Sequence, residues 1–162
     1  MEFINQLNEF YKILDNKGTQ IKDILSQCGF DVKMGYFNGH YVDKDCSGNY
    51  VKDYYPIPVI EVKGLCDIEI GNSFVGISSK LAINDALNFD YGKLSDYQYE
   101  VYGVIDYLGD YYKSGEDVGK LYRNLKKSNE TEIGFAFSFE SSATAEIILK
   151  AVNFLKNNGF YY

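Results

Sequence analysis

Apolar and polar positions recur along this chain with two different periods, and the switches between them mark out its elements. Phe3, Ile4, Leu7, Phe10, Tyr11 and Leu14 follow the spacing of one helical face, which predicts a helix over 2–15. Gly18 reads as its stop, and Thr19 as the cap of a second helix that points Ile21, Ile24, Leu25 and Cys28 inward and closes at Gly29. The period then drops to two. "FDVKMGYF", "HYV" and "YVKDYY" read as strand, with the polar "DKDCSGN" as a turn between them. Pro56 and Pro58 place the next segment at a sheet edge or at a strand start, because proline cannot donate to a ladder.

The stretch "PVIEVKGLCDIEIG" is a hairpin by pattern, and its loop length fixes which side chains share a face. A three-residue loop, Lys63-Gly64-Leu65, sets Val62 opposite Cys66 and Ile60 opposite Ile68, and gathers Val59, Glu61, Asp67 and Glu69 on the other face. A two-residue loop mixes apolar and polar positions on both faces, so the three-residue form is expected. It makes Glu61 and Asp67 direct cross-strand neighbours, an arrangement of like charges that costs a few tenths of a kcal/mol, up to about 1. Water, Lys63, another basic side chain or a cation has to offset that cost.

Further along, residues 73–78 predict a strand, 79–88 a short helix and "YQYEVYGVI" a strand. "DYLGDYY" predicts a short helix or turn. Ser114 and Asp117 form a capping signature for a helix with Val118, Leu121, Tyr122 and Leu125 inward and Lys126 and Lys127 in its last turn. "EIGFAFSFE" alternates as a strand. Ser142 opens a last helix with Ile147, Ile148, Ala151, Val152 and Leu155 on one side and Gly159 as its stop. The order of elements predicts a single α+β domain over 1–162, a mixed or mostly antiparallel sheet packed against helices, with an N-terminal helix pair and a C-terminal helix. Residues 69–82 and 132–145 align without a gap at Glu, Ile, Gly, Phe, Ser, Ser and Ala. Either a duplication or the shared demands of strands and serine caps accounts for that echo.

Charge narrows the range of partners. A formal net charge of −7 repels phosphate backbones and anionic membrane surfaces, so nucleic-acid binding is disfavoured and a basic protein partner is favoured. The start, "MEFINQLNEFYK", is not a signal peptide and no apolar run is long enough to span a bilayer, so the expected address is the cytoplasm, with no membrane association. Three widely spaced cysteines, Cys28, Cys46 and Cys66, form no C-x-x-C pair and are expected as thiols. Sixteen tyrosines and no tryptophan fit either a binding surface or an A/T-rich genome.

Candidate chemistry centres on the acidic hairpin. Glu61, Lys63, Asp67 and Glu69 are the candidate binding residues. "IEVKG", a strand carrying E-x-K with Asp53, Asp45 or Asp43 upstream, resembles the half-motif of the PD-(D/E)xK nuclease superfamily. That resemblance implies a divalent metal on the acids and a lysine positioning the attacking water. The immediate return of the chain as "LCDIEIG" departs from that family's loop and helix. Residues 43–54 open like a calcium loop at Asp43, Asp45, Ser47 and Gly48, but carry Tyr54 where the bidentate glutamate belongs, and a polar hairpin turn explains them equally. His40, the single histidine, has no recognisable nucleophile partner. Lys120, Arg123 and Lys127 share a helix face that reads as solvated. No cofactor motif is present. The expectation is therefore a small acidic domain without catalysis, acting through protein contacts, with a metal-dependent nuclease or other hydrolase as the alternative.

Overall fold

The computed structural model describes residues 2–44, 50–71, 73–103 and 115–162. It contains helix α1 (Glu2–Gln27), strands β1 (Val32–Lys44), β2 (Tyr50–Val62), β3 (Cys66–Ile70) and β4 (Phe74–Ala82), helix α2 (Ile83–Asn88), a 3-10 turn at Tyr91–Leu94, strand β5 (Gln98–Tyr102), helix α3 (Gly115–Lys127), strand β6 (Glu132–Glu140) and helix α4 (Ala145–Asn157). The six strands form one antiparallel sheet in the order β1-β2-β3-β4-β6-β5. This is the expected α+β architecture. None of the described helices is long and apolar enough to cross a membrane.

The expected N-terminal helix pair is a single helix. Gly18 does not stop α1; it lies buried on the same stripe as Leu14, Ile21 and Leu25. The helix crosses the sheet there. A Cβ on Gly18 would meet the Met34 methyl at 3.0 Å and Pro58 Cβ at 3.3 Å, so the missing side chain is what lets helix and strands approach. A glycine inside a helix costs roughly 1 kcal/mol relative to alanine, which packing from both flanks offsets. The true end is at Gly29, whose φ of +88° permits the reversal. Phe30 N–H donates to the Leu25 carbonyl and Gly29 N–H to Ser26, the paired bonds of a Schellman cap. Helix α4 ends the same way: Gly159 has φ +80° and Phe160 N–H donates to Leu155. Both glycine stops were legible, and in both the following phenylalanine turns back towards the core.

The central hairpin has the three-residue loop. Val62 pairs with Cys66, Glu61 with Asp67, Ile60 with Ile68 and Val59 with Glu69. Gly64 takes a φ of +72°, and Leu65 N–H closes the turn on the Val62 carbonyl at 3.0 Å. The prolines sit where one side of a strand is open. The β2–β3 ladder stops at Val59, and Pro58 and Pro56 lie beyond it, paired with β1 alone.

Strand β4 runs four residues further than the pattern implied, through "SKLA", and only Ile83–Asn88 are helical. The overrun has a partner on each side. β6 pairs with β4 through Ala82↔Glu132, and on the flank that β3 has vacated Tyr161 exchanges two backbone hydrogen bonds with Lys80 (2.8 and 3.0 Å). Ser79 is therefore not a helix cap. It is buried in mid-strand, and its hydroxyl donates to the Leu65 carbonyl at 2.7 Å. Its counterpart in the sequence echo, Ser142, sits in an exposed turn, while Phe74 is exposed and Phe137 buried. The two echoing segments thus share an environment at Glu69 and Glu132 and at Ile70 and Ile133, and differ at the phenylalanine and the second serine.

Helix α4 starts at Ala145, capped by Thr144, whose hydroxyl accepts from Ile147 N–H at 3.4 Å, not by Ser142. Ile148, Ala151, Val152 and Leu155 are buried as expected, but Ile147 faces solvent. On α3, Leu121 and Leu125 are buried; Tyr122 is exposed, its ring 4.7 Å beneath the Lys126 ammonium. Ser114 and the segment "DYLGDYY" lie outside the described residues. The core lies between the helices and one face of the sheet, and a chain of ring contacts through Phe89, Tyr91, Tyr97, Tyr99, Phe135, Phe137 and Phe160 fills its centre.

Candidate functional site: the uncovered face of the sheet

In β3 to β6 every second side chain points into the core, and none of the alternate, outward ones is buried. Register stacks these outward positions into rows across the strands. One row runs Lys33, Glu61, Asp67, Ser78, Ala136, Glu100; the next runs Gly35, Val59, Glu69, Gly76, Ser138, Gln98. The middle of both rows is built of small residues, because β4 reads "FVGISS" and β6 reads "IGFAFS" with glycine, alanine or serine at alternate places. The result is a low floor with taller side chains around it.

That floor is the base of a groove of about 520 Å³. Glu69 stands on its β3 side, Glu100 and Tyr102 on its β5 side, and Phe74 and Glu140 at one end. Phe74 pairs with Glu140, and its ring leans over Gly76, where a Cβ would meet it at 3.3 Å. The Tyr102 hydroxyl donates to Glu100 at 2.8 Å, which holds both side chains against the wall. A second hollow of about 440 Å³ continues across β1–β3 over Lys33, Gly35, Phe37, Val59, Glu61 and Asp67. Among the described side chains, six carboxylates (Glu61, Asp67, Glu69, Glu100, Glu132, Glu140) stand at outward positions here against two lysines, Lys33 and Lys80.

The electrostatics follow from this crowding. Partial burial, and then the charge of Glu61 directly opposite, push the Asp67 carboxyl above its ordinary value. Burial does the same to Glu69. At the other end of the face, hydrogen bonds from Tyr161 (2.6 Å) and Lys80 (3.1 Å) hold Glu132 below the usual carboxylate range. Glu132 is thus a structural anion that fastens the C-terminal residues, whereas Asp67 and Glu69 have no ion-pair partner among the described residues. Beneath them, burial and the nearby Asp67 push the Cys66 thiol up to about 12, so it serves as core and not as a nucleophile.

The residues singled out by sequence separate into two groups. Glu61, Asp67 and Glu69 share the open face. Lys63 does not join them: it lies in the turn past the end of β2, and its ammonium is 3.9 Å from Asp31, both side chains almost fully exposed. The acids proposed upstream of E-x-K are remote. Asp53 is eight residues from Glu61 along β2, roughly 26 Å at strand rise, and Asp43 pairs with Val51, two residues further still. Asp45 lies outside the described residues. Among the described residues no three of His, Cys, Asp and Glu group as a metal site requires. Among the described residues, then, neither Asp43 nor Asp53 joins Glu61 and Lys63 in the arrangement that a PD-(D/E)xK centre needs.

The calcium-loop reading fares similarly. Its flanks are β1 and β2, strands where the motif requires helices, and residues 45–49 of the loop lie outside the described residues. His40 stands opposite Tyr54 on the same ribbon. Of the tyrosine-rich segment, Tyr99 is buried in the core, Tyr97 is half-buried against Phe137 and Phe154, and Tyr102 alone among its described members reaches the groove. Sequence reasoning missed Phe74, Gln98, Glu100, Ser138 and Glu140. The alternation of small residues in β4 and β6 was visible; that these two strands are neighbours, with paired residues 50 to 66 positions apart in sequence, was not.

No family model matches this chain, and no curated protein matches it. Among solved structures, a conserved hypothetical protein from Pyrococcus furiosus has a similar fold, with a TM-score of 0.62 and 17% identity over 94% of this chain and 95% of that one. At that identity the likeness concerns architecture alone.

Proposed function

We propose that this chain is a non-catalytic binding domain whose uncovered sheet face receives a basic protein partner. The observation that carries this reading is the outward face of β2–β6, where Glu69, Glu100 and Glu140 line a small-residue groove and Glu61 and Asp67 line the hollow beside it. A groove with a glycine and serine floor admits a long side chain lying flat, and carboxylates on its walls meet a guanidinium or ammonium at the end of that side chain. Phe74 and Tyr102 add aromatic surface of the kind that stacks on arginine. The chain's net charge of −7 adds long-range attraction for a cationic surface.

The test is a pull-down from lysate with wild-type protein and a Glu69→Gln/Glu100→Gln/Glu140→Gln variant, each washed at low salt and at about 0.5 M salt, where screening is nearly complete beyond contact distance. A basic protein retained by wild type at low salt, and lost both in high salt and in the variant, is the expected outcome. Equal retention by both proteins would overturn the assignment of the face.

A further inference from the structure

The sheet leaves backbone unpaired in several places, and the chain treats them differently. Beyond β3, the flank of β4 is filled by Tyr161. The outer side of β5 is short, five residues. The stretch of β2 from Tyr50 to Pro58 has no partner on its β3 side among the described residues, and it is guarded. Lys63 N–H donates to the Asp31 carbonyl, which sets the parity of the β1–β2 ladder: odd-numbered backbone groups face the partner and even-numbered ones face away. Pro56 and Pro58 therefore lack an N–H where an intruding strand would seek one.

Among the described residues, the outer side of β1 has neither a partner strand nor such protection. It is thirteen residues long, Val32–Lys44, roughly 43 Å, and contains no proline. Its distal part, Tyr36–Lys44 against Tyr50–Pro58, is a two-stranded ribbon beyond the rest of the sheet. Such ribbons are marginal in water without a third strand.

We infer that β1 pairs antiparallel with β1 of a second copy of this chain, joining two sheets across a two-fold axis at Asn38. The register commits to this occupant. With Asn38 at the axis all thirteen residues overlap, and Lys33 of each copy stands opposite Asp43 of the other, twice by symmetry. Met34 then stands opposite Val42, and Tyr36 opposite His40. These even-numbered residues are the ones whose backbone groups face outward, so they are the pairs that exchange hydrogen bonds. A slip by one pair in either direction puts Lys33 opposite Tyr41 or beyond the end of the strand, and loses the charge match.

Sedimentation equilibrium of the full chain from about 1 to 100 µM reads the result directly. Wild type is expected at twice the 18.5 kDa chain mass at the upper end. Asn38→Pro removes an outward N–H and no β1–β2 hydrogen bond, so it is expected to be monomeric with an unchanged circular dichroism spectrum. Asp43→Lys is expected to weaken association about tenfold, and adding Lys33→Glu to restore it, which decides the matter if the proline variant fails to fold. A wild-type monomer throughout that range, a folded Asn38→Pro variant that still dimerises, or an Asp43→Lys variant of wild-type affinity would each overturn the pairing.

Discussion

The pairing of Glu61 with Asp67 is the residue-scale feature that most needs a reason to exist. Two carboxylates opposed across an antiparallel ladder cost stability, and no base is ion-paired to either among the described residues: Lys63 turns to Asp31, and Lys80 to Glu132. Asp67→Asn should therefore raise stability at pH 7 by a few tenths to about 1 kcal/mol in urea unfolding. The sign with pH follows from the raised Asp67 value. The folded state binds this proton more readily than the unfolded chain, so the ionised group destabilises above its folded-state value and ceases to do so below its ordinary 3.8. The advantage of Asp67→Asn should thus be fullest at neutral pH and vanish below about pH 3.8. An advantage that grew on acidification would contradict this. A fold that tolerates such a cost on an open face is consistent with keeping the charge for a partner.

Individual elements differ in how much of them could be read from the chain. The β2–β3 hairpin was legible to its register because both strands alternate and a single loop length sorts them. Strand β6 was legible for the same reason, over 132–140. What escaped were positions whose local signal is outvoted by a distant neighbour. Gly18 carries every mark of a helix stop, yet Met34 and Pro58, far along the chain, make it a contact point. Gly18→Val should cost about 1–3 kcal/mol by thermal or urea unfolding, because the new methyls have no space against Pro58. "SKLA" reads as the start of a helix until β6 on one side and the C-terminal Tyr161 on the other hold it extended. Phe160 anchors that last segment: it is buried against Phe89, Phe135 and Phe137. Phe160→Ala should destabilise by about 3–5 kcal/mol, measured the same way. A change within a few tenths of a kcal/mol would mean that the terminus is not part of the core.

On the scale of the molecule, the acidic face is a product of topology more than of any one segment. Three of its carboxylates were visible as a cluster in "IEVKGLCDIEIG". Glu100 and Glu140 join them only because β6 inserts between β4 and β5, which brings residues 69, 100 and 140 around one floor. No pattern within a single strand encodes that insertion. The small residues of β4 and β6 become a floor by the same route, and Lys63, adjacent in sequence to the acids, is carried away from them by a turn. The most direct measurement of what this face does is an amide chemical-shift map of the isotope-labelled protein titrated with an arginine- and lysine-rich peptide. The shifts should concentrate on Glu69, Gly76, Ser78, Glu100, Ala136 and Ser138 and disappear in about 0.5 M salt. Shifts scattered over the helices, or unchanged by salt, would contradict a cation-receiving sheet face.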